Sequence, residues 1–543
     1  MLLSATLIAQ EKTKVKPIFP SSIHIPNPSD DQVQNLSKLG KIWGLLKYKH
    51  PKVIDGTIDW DESLLKLLKL YDATNFDKQV YKVLPDISEQ ILMEVDSIFS
   101  NATKWIGEDF TNSQDLKAYL NTLNSLNSPE NQHYIEAGKW GITPKFKEKE
   151  YVLASWEDHG VRILTLFRYW NIINYFFPYK SMISHNWNDV LPRYIPKILT
   201  AGTELDYKLC LLELVGEIHD GHGGIHRDET LKNYFGVNQL PIQTKIIDDE
   251  LYVVNVFEEF RKELDIMPGD VVLEINHRSM KSISSTYPKY ISASTEAGLQ
   301  RQVAEFMIRT NLLEVDVKLE RKNKIKNIVA QTVKYNTLRY VQKDIEPYKI
   351  ISNDILYIYP GSLENDQVDS VIELAKEKKT IILDYRSYPK AYLQVKFPRF
   401  FLPFPKKALS SNRFNINPLG EFRFQKSYKW GTMNEDYYKG NLIILVNEYT
   451  QSQPEFEILI YKQAPKTTII GSSTAGTIGN WTPIKLPLNM LTSISGNGVY
   501  GPNNEQVQRI GIIPDIFIKP TAKGISEGKD EVLLRAIEFC NQL

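Results

Sequence analysis

The chain has 543 residues, which is enough for about three or four domains with a buried core in each. Lysine plus arginine balance aspartate plus glutamate at 65 each, so no net charge draws the protein to nucleic acid or to an anionic membrane. The two cysteines, Cys210 and Cys540, lie in unrelated segments, which excludes a disulfide scaffold and a zinc site built on cysteines. The composition therefore favours small or peptidic partners.

The chain begins with MLLSATLIAQEKTKVKP, in which an apolar stretch of about nine residues precedes a charged one. This stretch is too short to cross a bilayer, which takes ~20 residues, and Ala9 offers a small residue at a cleavage point. Residues 11–30 are rich in proline, serine and charge. We therefore predict a short leader and a linker over residues 1–30, with a frayed tail as the alternative. No later apolar run is long enough to predict a transmembrane segment.

Residues 31–229 show helical periodicity and contain one pattern twice. The stretch LSKLGKIWGLLKYKHPKVIDGTIDWDESLLKLL aligns without a gap with the later LTLFRYWNIINYFFPYKSMISHNWNDVLPRYI. The matching pairs share one offset: Trp43 with Trp170, Tyr48 with Tyr175, Pro51 with Pro178, Trp60 with Trp187 and Leu64 with Leu191. We predict a duplicated helical unit, in which an aromatic-rich helix ends near a proline and a loop leads to a second helix anchored by tryptophan. At helical spacing, the aromatic side chains indicate core packing rather than a ligand site.

Residues 230–340 change to a pattern of short strands. The informative stretch is MPGDVVLEINHRSM, a turn at Pro268 and Gly269 followed by a strand and a second turn. It resembles the signature of PDZ domains, with His277 where the final glycine of the signature usually stands. The resemblance implies a domain that binds peptide C-termini by adding a strand to a sheet edge. A small β-domain without a ligand is the alternative.

After residue 345, strands alternate with helices, which predicts a mostly parallel sheet with crossover helices. Strands are expected in DILYIYPG, TIILDYRSYP, NLIILVNEYT and TTIIGSS, and helices in NDQVDSVIELAKEKK and after Ser452. Ligands of such sheets bind beyond the carboxyl ends of the strands, where Ser452 and the DYRSYP turn both lie. The whole chain is thus predicted to be a multidomain α/β protein.

Ser452 follows the strand NLIILV and opens a helix, and two interpretations compete for it. With Glu455 three residues later it has the spacing of a capping box, in which both side chains satisfy free N–H groups of the first turn. Alternatively it is a nucleophile, because the N–H of Gln453 lies at the positive end of the helix dipole and can stabilise an oxyanion. A serine nucleophile also needs a base from elsewhere in the chain.

The sequence EIHDGHGGIH, residues 217–226, brings three of the nine histidines into one glycine-rich loop, which we call the His loop. A lone general base, His222, is the favoured interpretation. Metal binding by His219, Asp220, His222 and His226 is the rival, because all four are competent ligands of zinc or iron. The glycines prevent a regular helix face and the sequence has no H-E-x-x-H motif, so neither a metal nor a cofactor is predicted. A purely structural loop of hydrogen-bonded histidines is the third interpretation.

Three motifs, in this order, carry a resemblance to a known family: NEYTQSQPEFEI, IIGSSTAGTIG and GIIPDIFIKPTAKGISEGKDEVLLRAIEF. Together they resemble the catalytic domain of the C-terminal-processing, or tail-specific, serine peptidases, which include the related tricorn core protease. The nucleophile of the GSASASE-like turn in that family falls on Ser452. The resemblance extends to the His loop and the PDZ-like stretch, and it covers roughly residues 215–543. It implies a crotonase-like αβ fold for a catalytic domain over residues 345–543.

The chain departs from this family at functional positions. The processing peptidases pair the serine with a lysine, and the matching position here is Thr477, so that mechanism is excluded. The tricorn-type branch uses a histidine instead, and the resemblance places that base on His222. The same branch has a glutamate, matched here by Gln508, and takes its second oxyanion donor from a glycine pair, matched here by Lys390 and Ala391.

We therefore predict a serine-type peptidase that forms an acyl-enzyme on Ser452, with His222 as the general base. Asp220 or Gln508 is predicted to orient the imidazole. The N–H groups of Gln453 and Lys390 are predicted to form the oxyanion hole. The expected substrate is an extended peptide or an unfolded protein segment. The family's usual place outside the cytoplasm, together with the leader as a signal peptide, predicts a periplasmic or envelope location in a bacterium.

The alternative from another class is a weakened or inactive relative that binds peptides or hydrophobic ligands. Interphotoreceptor retinoid-binding protein, which looks like the same fold put to ligand carriage, illustrates it. The absent lysine, glutamate and glycines are what such a change of role leaves behind. The presence of both Ser452 and His222 favours the enzyme.

Overall fold

The computed structural model describes residues 19–87, 100–107, 110–138, 141–335 and 345–543 of the chain. The predicted leader, with its cleavage point at Ala9, lies outside these ranges. Residues 19–29 form a lead-in without helix or strand that is fixed to the rest of the protein. Ser21 donates its N–H to Asp158 at 2.6 Å, and Ile25 donates its N–H to His159 Nδ1 at 2.9 Å.

The region predicted to be helical folds mainly as α-helices. Its helices are α1 (Asp30–Lys49), α2 (Pro51–Ile54), α3 (Trp60–Leu68), α4 (Phe76–Val83), α5 (Gln114–Ser125), α6 (His159–Phe176), α7 (Val190–Leu199), α8 (Glu204–Gly216) and α9 (Glu229–Phe235). Two short antiparallel strands, β1 (Ile135–Ala137) and β2 (Pro144–Phe146), lie between α5 and α6. Helices α1 and α6 each end two residues before a proline, because the residue before proline disfavours helical geometry.

The two copies of the repeated pattern make the same tryptophan contacts. In the first copy the indole N–H of Trp43 donates to the carbonyl of Trp60 at 3.0 Å, and the indole of Trp60 donates back to the carbonyl of Trp43 at 2.8 Å. In the second copy Trp170 and Trp187 exchange the same two hydrogen bonds, at 2.9 and 3.0 Å. All four side chains are buried, so these aromatic residues are core residues. The shared geometry supports a duplicated unit.

The middle of the chain is an antiparallel β-domain, which follows a short strand β3 (Ile225–His226). Its strands are β4 (Asn238–Gln239), β5 (Ile242–Ile247), β6 (Glu250–Val256), β7 (Val271–Ile275), β8 (Arg278–Ser279), β9 (Arg309–Thr310), β10 (Glu314–Arg321), β11 (Lys324–Gln331) and β12 (Val333–Lys334), and its helices are α10 (Met280–Thr286) and α11 (Glu296–Met307). The main sheet runs β11-β10-β7-β6-β5, and α11 packs on β5. In the turn before β8, His277 has a φ of 60°, a conformation that favours the glycine of the PDZ signature.

The C-terminal part of the chain alternates strands and helices. Its strands are β13 (Tyr348–Ile350), β14 (Ile355–Ile358), β15 (Thr380–Asp384), β16 (Lys406–Lys407), β17 (Ser410–Ile416), β18 (Leu419–Phe424), β19 (Lys429–Trp430), β20 (Asn441–Val446), β21 (Thr467–Gly471), β22 (Trp481–Lys485), β23 (Leu491–Ser495), β24 (Val499–Tyr500) and β25 (Ile516–Phe517). Its helices are α12 (Val368–Lys376), α13 (Lys396–Phe401), α14 (Gln453–Tyr461), α15 (Ala522–Ser526) and α16 (Glu531–Cys540). The central sheet runs β13-β14-β15-β20-β21-β25, with β13 antiparallel and the later neighbours parallel. The predicted multidomain α/β class is confirmed.

Both faces of the central sheet are covered by helices. Successive residues of a strand point to opposite faces, so alternate residues of one strand enter different cores. Leu442 and Ile444 of β20 join a core with α12, α13 and α14, whereas Ile443 and Leu445 join a core with α16. The strands are therefore continuous apolar runs in the sequence. The core of the helical region continues into β17, β18, β22 and β23, so the helical region and the sheet pack together.

Topology brings two distant segments to one edge of the central sheet. The parallel strands β15 and β20 end there, and α14 starts after the turn that follows β20. The His loop after α8 reaches the same place because β3 pairs with β23. Across the described ranges, the structure has no helix with the length and apolar character needed to span a membrane.

Candidate active site

Ser452 stands at the turn between β20 and α14 in a backbone conformation that is uncommon for serine. Its φ is 66° and its ψ is −109°. By contrast, the helix-capping residues Ser29 and Ser113 have the negative φ and extended ψ that N-cap residues usually adopt. Holding a residue with a side chain in such a sparsely populated conformation costs roughly 1–3 kcal/mol, and such residues cluster at functional sites. This conformation distinguishes Ser452 from these two helix caps.

The imidazole of His222 lies within hydrogen-bond distance of the Ser452 hydroxyl. His222 Nε2 is 3.1 Å from Ser452 Oγ, although the two residues are 230 positions apart in the chain. The imidazole is almost completely buried, with 8% of the side chain exposed. Burial lowers the pKa of His222, and the nearby Asp220 carboxylate opposes that effect. At neutral pH the ring is therefore neutral and can accept a proton.

The other ring nitrogen of His222 is fixed by Ser495 and Asp220. His222 Nδ1 is 2.9 Å from Ser495 Oγ, and the Ser495 hydroxyl donates to Asp220 at 3.0 Å. Because an ionised carboxylate can only accept, the Ser495 proton points to Asp220, and Ser495 Oγ must accept from Nδ1–H. The lone pair of His222 is then on Nε2, where it faces Ser452. Asp220 itself stays 3.8 Å from the ring, so it acts through Ser495.

Glu455 connects the turn at Ser452 to the loop at residues 474–477. Its carboxylate accepts the N–H groups of Ser452 at 3.1 Å, Gly476 at 2.7 Å and Thr477 at 3.0 Å, and the hydroxyl of Thr474 at 2.5 Å. Burial raises the pKa of Glu455 to about 7, against the opposite effect of these donors. The predicted capping spacing of Ser452 and Glu455 is therefore present, but here the carboxylate also holds two active-site loops together.

The two N–H groups predicted as oxyanion donors have different surroundings. Gln453 is the first residue of α14, so its N–H lies at the positive end of the helix dipole, directly after Ser452. Lys390 requires a correction. Its N–H donates to the carbonyl of Pro360 at 2.9 Å, and it is not free to bind an oxyanion. Without the glycine pair of the family, the turn after β15 uses this N–H internally.

Gln508 also requires a correction as an orienting residue. It accepts the N–H of Ile478 at 2.9 Å, and its amide donates to Ser294 Oγ at 3.1 Å. Thr477, at the position of the family lysine, is 2.9 Å from the same Ser294 hydroxyl. Within the parts of the chain that the structure describes, Gln508 makes no hydrogen bond to the imidazole. Of the two predicted orienting residues, Asp220 is connected to the ring through Ser495, whereas Gln508 bonds to Ile478 and Ser294.

The other histidines of the loop take different positions. His226 Nε2 is 3.2 Å from Ser493 Oγ. Ser493 lies on β23, the strand whose Ser495 contacts the His222 ring. His219 is in a left-handed conformation with a φ of 46°, and burial lowers its pKa. In the residues described, no group of three or more histidine, cysteine, aspartate or glutamate side chains has the arrangement of a metal site.

Sequence reasoning missed Ser493 and Ser495. The Ser493 hydroxyl donates to the carbonyl of His222 at 2.6 Å, while Ser495 contacts the ring. Both side chains lie on one face of β23, because residues two apart in a strand share a face. The alternation in LTSIS was a signal for two hydroxyl groups on one side of a strand. Their place beside the His loop, however, depends on the pairing of β23 with β3, which is not visible in the sequence.

Acyl transfer requires a nucleophile, a base whose free nitrogen faces it, and a dipole aimed at the developing oxyanion. The structure places Ser452, His222 and the start of α14 in the arrangement that this chemistry needs. Residues 355–518 match peptidase family S41, and this part of the chain is a domain of that family of serine peptidases. The resemblance to the C-terminal-processing peptidases is thereby confirmed.

Solved structures are similar to this chain at low sequence identity. Mature CPAF complexed with lactacystin matches with a TM-score of 0.53 and 12% identity, over 70% of this chain and 98% of that chain. The photosystem II D1 C-terminal processing protease matches with a TM-score of 0.42 and 14% identity, over 68% of this chain and 98% of that chain. The tricorn protease matches with a TM-score of 0.36 and 14% identity, over 70% of this chain and 36% of that chain. Among curated proteins, none matches this chain significantly. The likeness to CPAF shows a shared fold.

Proposed function

We propose that the protein is a serine-type peptidase that cleaves peptides or unfolded protein segments through an acyl-enzyme on Ser452, with His222 as the general base. The observation that carries this proposal is the 3.1 Å separation of His222 Nε2 and Ser452 Oγ. The hydrogen bonds of Ser495 and Asp220 add support, because they direct the lone pair of Nε2 at the hydroxyl.

The proposed reaction follows from this arrangement. As Ser452 Oγ bonds to the scissile carbonyl carbon, its proton passes to His222 Nε2 and negative charge develops on the carbonyl oxygen. The N–H of Gln453, at the positive end of α14, stabilises that charge. When the C–N bond breaks, His222 gives the proton to the leaving amine, and a water molecule then hydrolyses the ester by the same steps. The Ser495 and Asp220 pair stabilises the imidazolium that forms in between.

The remaining parts of the chain have proposed roles as well. Residues 31–229 form a duplicated helical region that ends in the His loop, and residues 345–543 form a catalytic domain with a crotonase-like fold. Residues 230–340 form a PDZ-like domain that recruits the substrate or gates the site by binding a peptide at a sheet edge. The apolar start of the chain supports a leader and a periplasmic or envelope location. Fractionation of bacteria that express the chain tests this location, and recovery in the cytoplasm alone would contradict it.

A second candidate is a weakened relative that serves as a binding protein for peptides or hydrophobic ligands. The observation that favours it is the hydrogen bond from Lys390 N–H to the Pro360 carbonyl, which removes the second oxyanion donor. Loss of one such donor typically lowers the rate by ~10²–10³. The proposed peptidase is therefore expected to be slow, and a complete loss of turnover would favour the binding protein.

Incubation with one substrate protein in its folded form and in its reduced and alkylated, unfolded form tests the proposal. We expect the wild type to cleave the unfolded form slowly and the folded form not at all, with products identified by mass spectrometry. The Ser452→Ala variant is the matched control and should leave both forms intact. Absence of any cleavage by correctly folded wild type, or cleavage that persists in Ser452→Ala, would overturn the proposal.

A further inference from the structure

The two positions at which this chain lacks the charged residues of its relatives meet at one hydroxyl group. By the resemblance, Thr477 matches the lysine of the processing peptidases and Gln508 matches the glutamate of the tricorn-type branch. Thr477 Oγ1 is 2.9 Å from Ser294 Oγ, and the Gln508 amide donates to the same Ser294 Oγ at 3.1 Å. Ser294 comes from the β-domain, in the loop before α11, and is 8% exposed.

Ser294 also holds the residue next to the base. Its Oγ accepts the N–H of Gly221 at 2.9 Å, and Gly221 directly precedes His222. A hydroxyl has one proton and two lone pairs. The N–H of Gly221, the amide of Gln508 and the hydroxyl of Thr477 all donate to Ser294 Oγ, so donors from three segments converge on its lone pairs. A buried polar network of this kind makes the structure around it more rigid.

The same loop of the β-domain holds the chain on the other side of Gly221. Ser292 Oγ accepts the N–H of Asp220 at 3.1 Å and donates to its carbonyl at 2.8 Å. The fit is close, because a Cβ on Gly221 would lie 2.2 Å from Thr477 Oγ1. A side chain at position 221 would therefore collide with Thr477. Thr477, Gly221, Ser292 and Ser294 therefore pack closely against one another.

We propose that Ser294 is a positioning residue of the active site, which joins Gly221, Thr477 and Gln508 and thereby keeps His222 within reach of Ser452 without charged residues at positions 477 and 508. This inference rests on the proposed function for its catalytic part. In this proposal the uncharged residues Ser294, Thr477 and Gln508 fix the position of His222. The β-domain contributes Ser294 to the site.

The test compares Ser294→Ala with wild type in two measurements. Hydrogen–deuterium exchange followed by mass spectrometry reports on the backbone of residues 217–226, and inactivation by a fluorophosphonate probe reports on Ser452. We expect faster exchange in the loop, and a maximal inactivation rate lower by about 10- to 100-fold, as for a small displacement of a catalytic group. The probe concentration that gives the half-maximal rate should stay unchanged, because Ser294 does not contact the probe.

Two further variants sharpen the test. Ser285→Ala is the matched control, because Ser285 is an exposed serine of the same β-domain whose hydroxyl bonds within α10. It should leave both measurements unchanged. Thr477→Val removes the neighbouring hydroxyl at nearly constant volume, and it provides the same test if Ser294→Ala does not fold.

The outcomes separate the two proposals. Faster loop exchange with a lower inactivation rate supports the role of Ser294. Unchanged exchange in Ser294→Ala and in Thr477→Val overturns it, whatever the probe does. Faster exchange in a protein whose wild type never reacts with the probe supports the anchoring of the loop and overturns the proposed peptidase function.

Discussion

The direction of a single proton, on Ser495, decides which ring nitrogen of His222 carries a proton and therefore whether Nε2 can accept one from Ser452. An Asp220→Asn variant changes that direction, since the amide can donate to Ser495 Oγ and free the Ser495 proton to point at Nδ1. The imidazole then carries its own proton on Nε2 and cannot accept one from Ser452. We expect the inactivation rate with a fluorophosphonate probe to fall by about 10²- to 10⁴-fold, as for a wrong histidine tautomer.

Ser493→Ala is the control for this variant. It removes the hydrogen bond to the His222 carbonyl and leaves the ring contacts in place. We expect a much smaller loss of rate than in Asp220→Asn. Equal rates in Asp220→Asn and wild type would show that the tautomer is fixed by something other than Asp220.

The pH dependence of the reaction follows from the environment of His222. Burial lowers the pKa of His222 from its usual value of 6.5, with the Asp220 carboxylate as the opposing charge. The neutral imidazole is the active form, so the rate should rise with pH through a midpoint below 6.5. Probe inactivation measured from acidic to neutral pH checks this expectation. A midpoint above the usual value would contradict it.

At the scale of elements, a group of four buried charged side chains connects α1, α3 and α6. Lys47 of α1 contacts Glu148 at 2.8 Å, and Arg168 of α6 contacts Asp61 of α3 at 2.9 Å and Glu148 at 3.0 Å. At most 1% of any of these side chains is exposed. Removing one partner from such a group leaves an uncompensated charge in the interior, which is strongly destabilising.

We therefore expect Arg168→Met to lower the free energy of unfolding by about 3–5 kcal/mol, because Asp61 and Glu148 lose a partner. Lys66→Met is the control, since Lys66 pairs with Glu62 at the surface with 74% and 50% of the side chains exposed. That variant should cost less than about 1 kcal/mol. Chemical denaturation of the three proteins measures the difference, and similar losses in both variants would contradict the account.

The elements themselves were largely predictable from the sequence. Continuous apolar runs predicted β14, β15, β20 and β21, and the repeated tryptophan-rich pattern predicted the helical region. Both predictions were possible because the spacing of apolar residues reflects which faces of an element are buried. The positions of Ser452 at the start of α14 and of His222 in its loop were predictable, because a local motif marks each of them. Ser495 was not predictable, because its role depends on strand pairing. Lys390 was predicted as an oxyanion donor from its position in a turn of the family. In this chain the turn lacks the glycines, and the Lys390 N–H donates to the carbonyl of Pro360.

At the scale of the molecule, the site is assembled from all three regions. Tyr179 of the helical region accepts the N–H of Val499 at 2.8 Å and donates to the carbonyl of Ile478 at 3.0 Å, next to the Thr477 loop. From the β-domain, Arg301 donates to Gln451 at 2.8 Å, one residue before the nucleophile. The geometry of Ser452 and His222 is thus a property of the whole chain.

The most direct test of the central claim is labelling of the full chain with a fluorophosphonate, which reacts with an activated serine. Peptide mass spectrometry locates the label in the wild type and in the Ser452→Ala and His222→Ala variants. We expect the wild type to be labelled at Ser452, and both variants to lose the label, because one lacks the nucleophile and the other lacks the base. A wild type that stays unlabelled while correctly folded, or a label that remains in Ser452→Ala, would contradict the account.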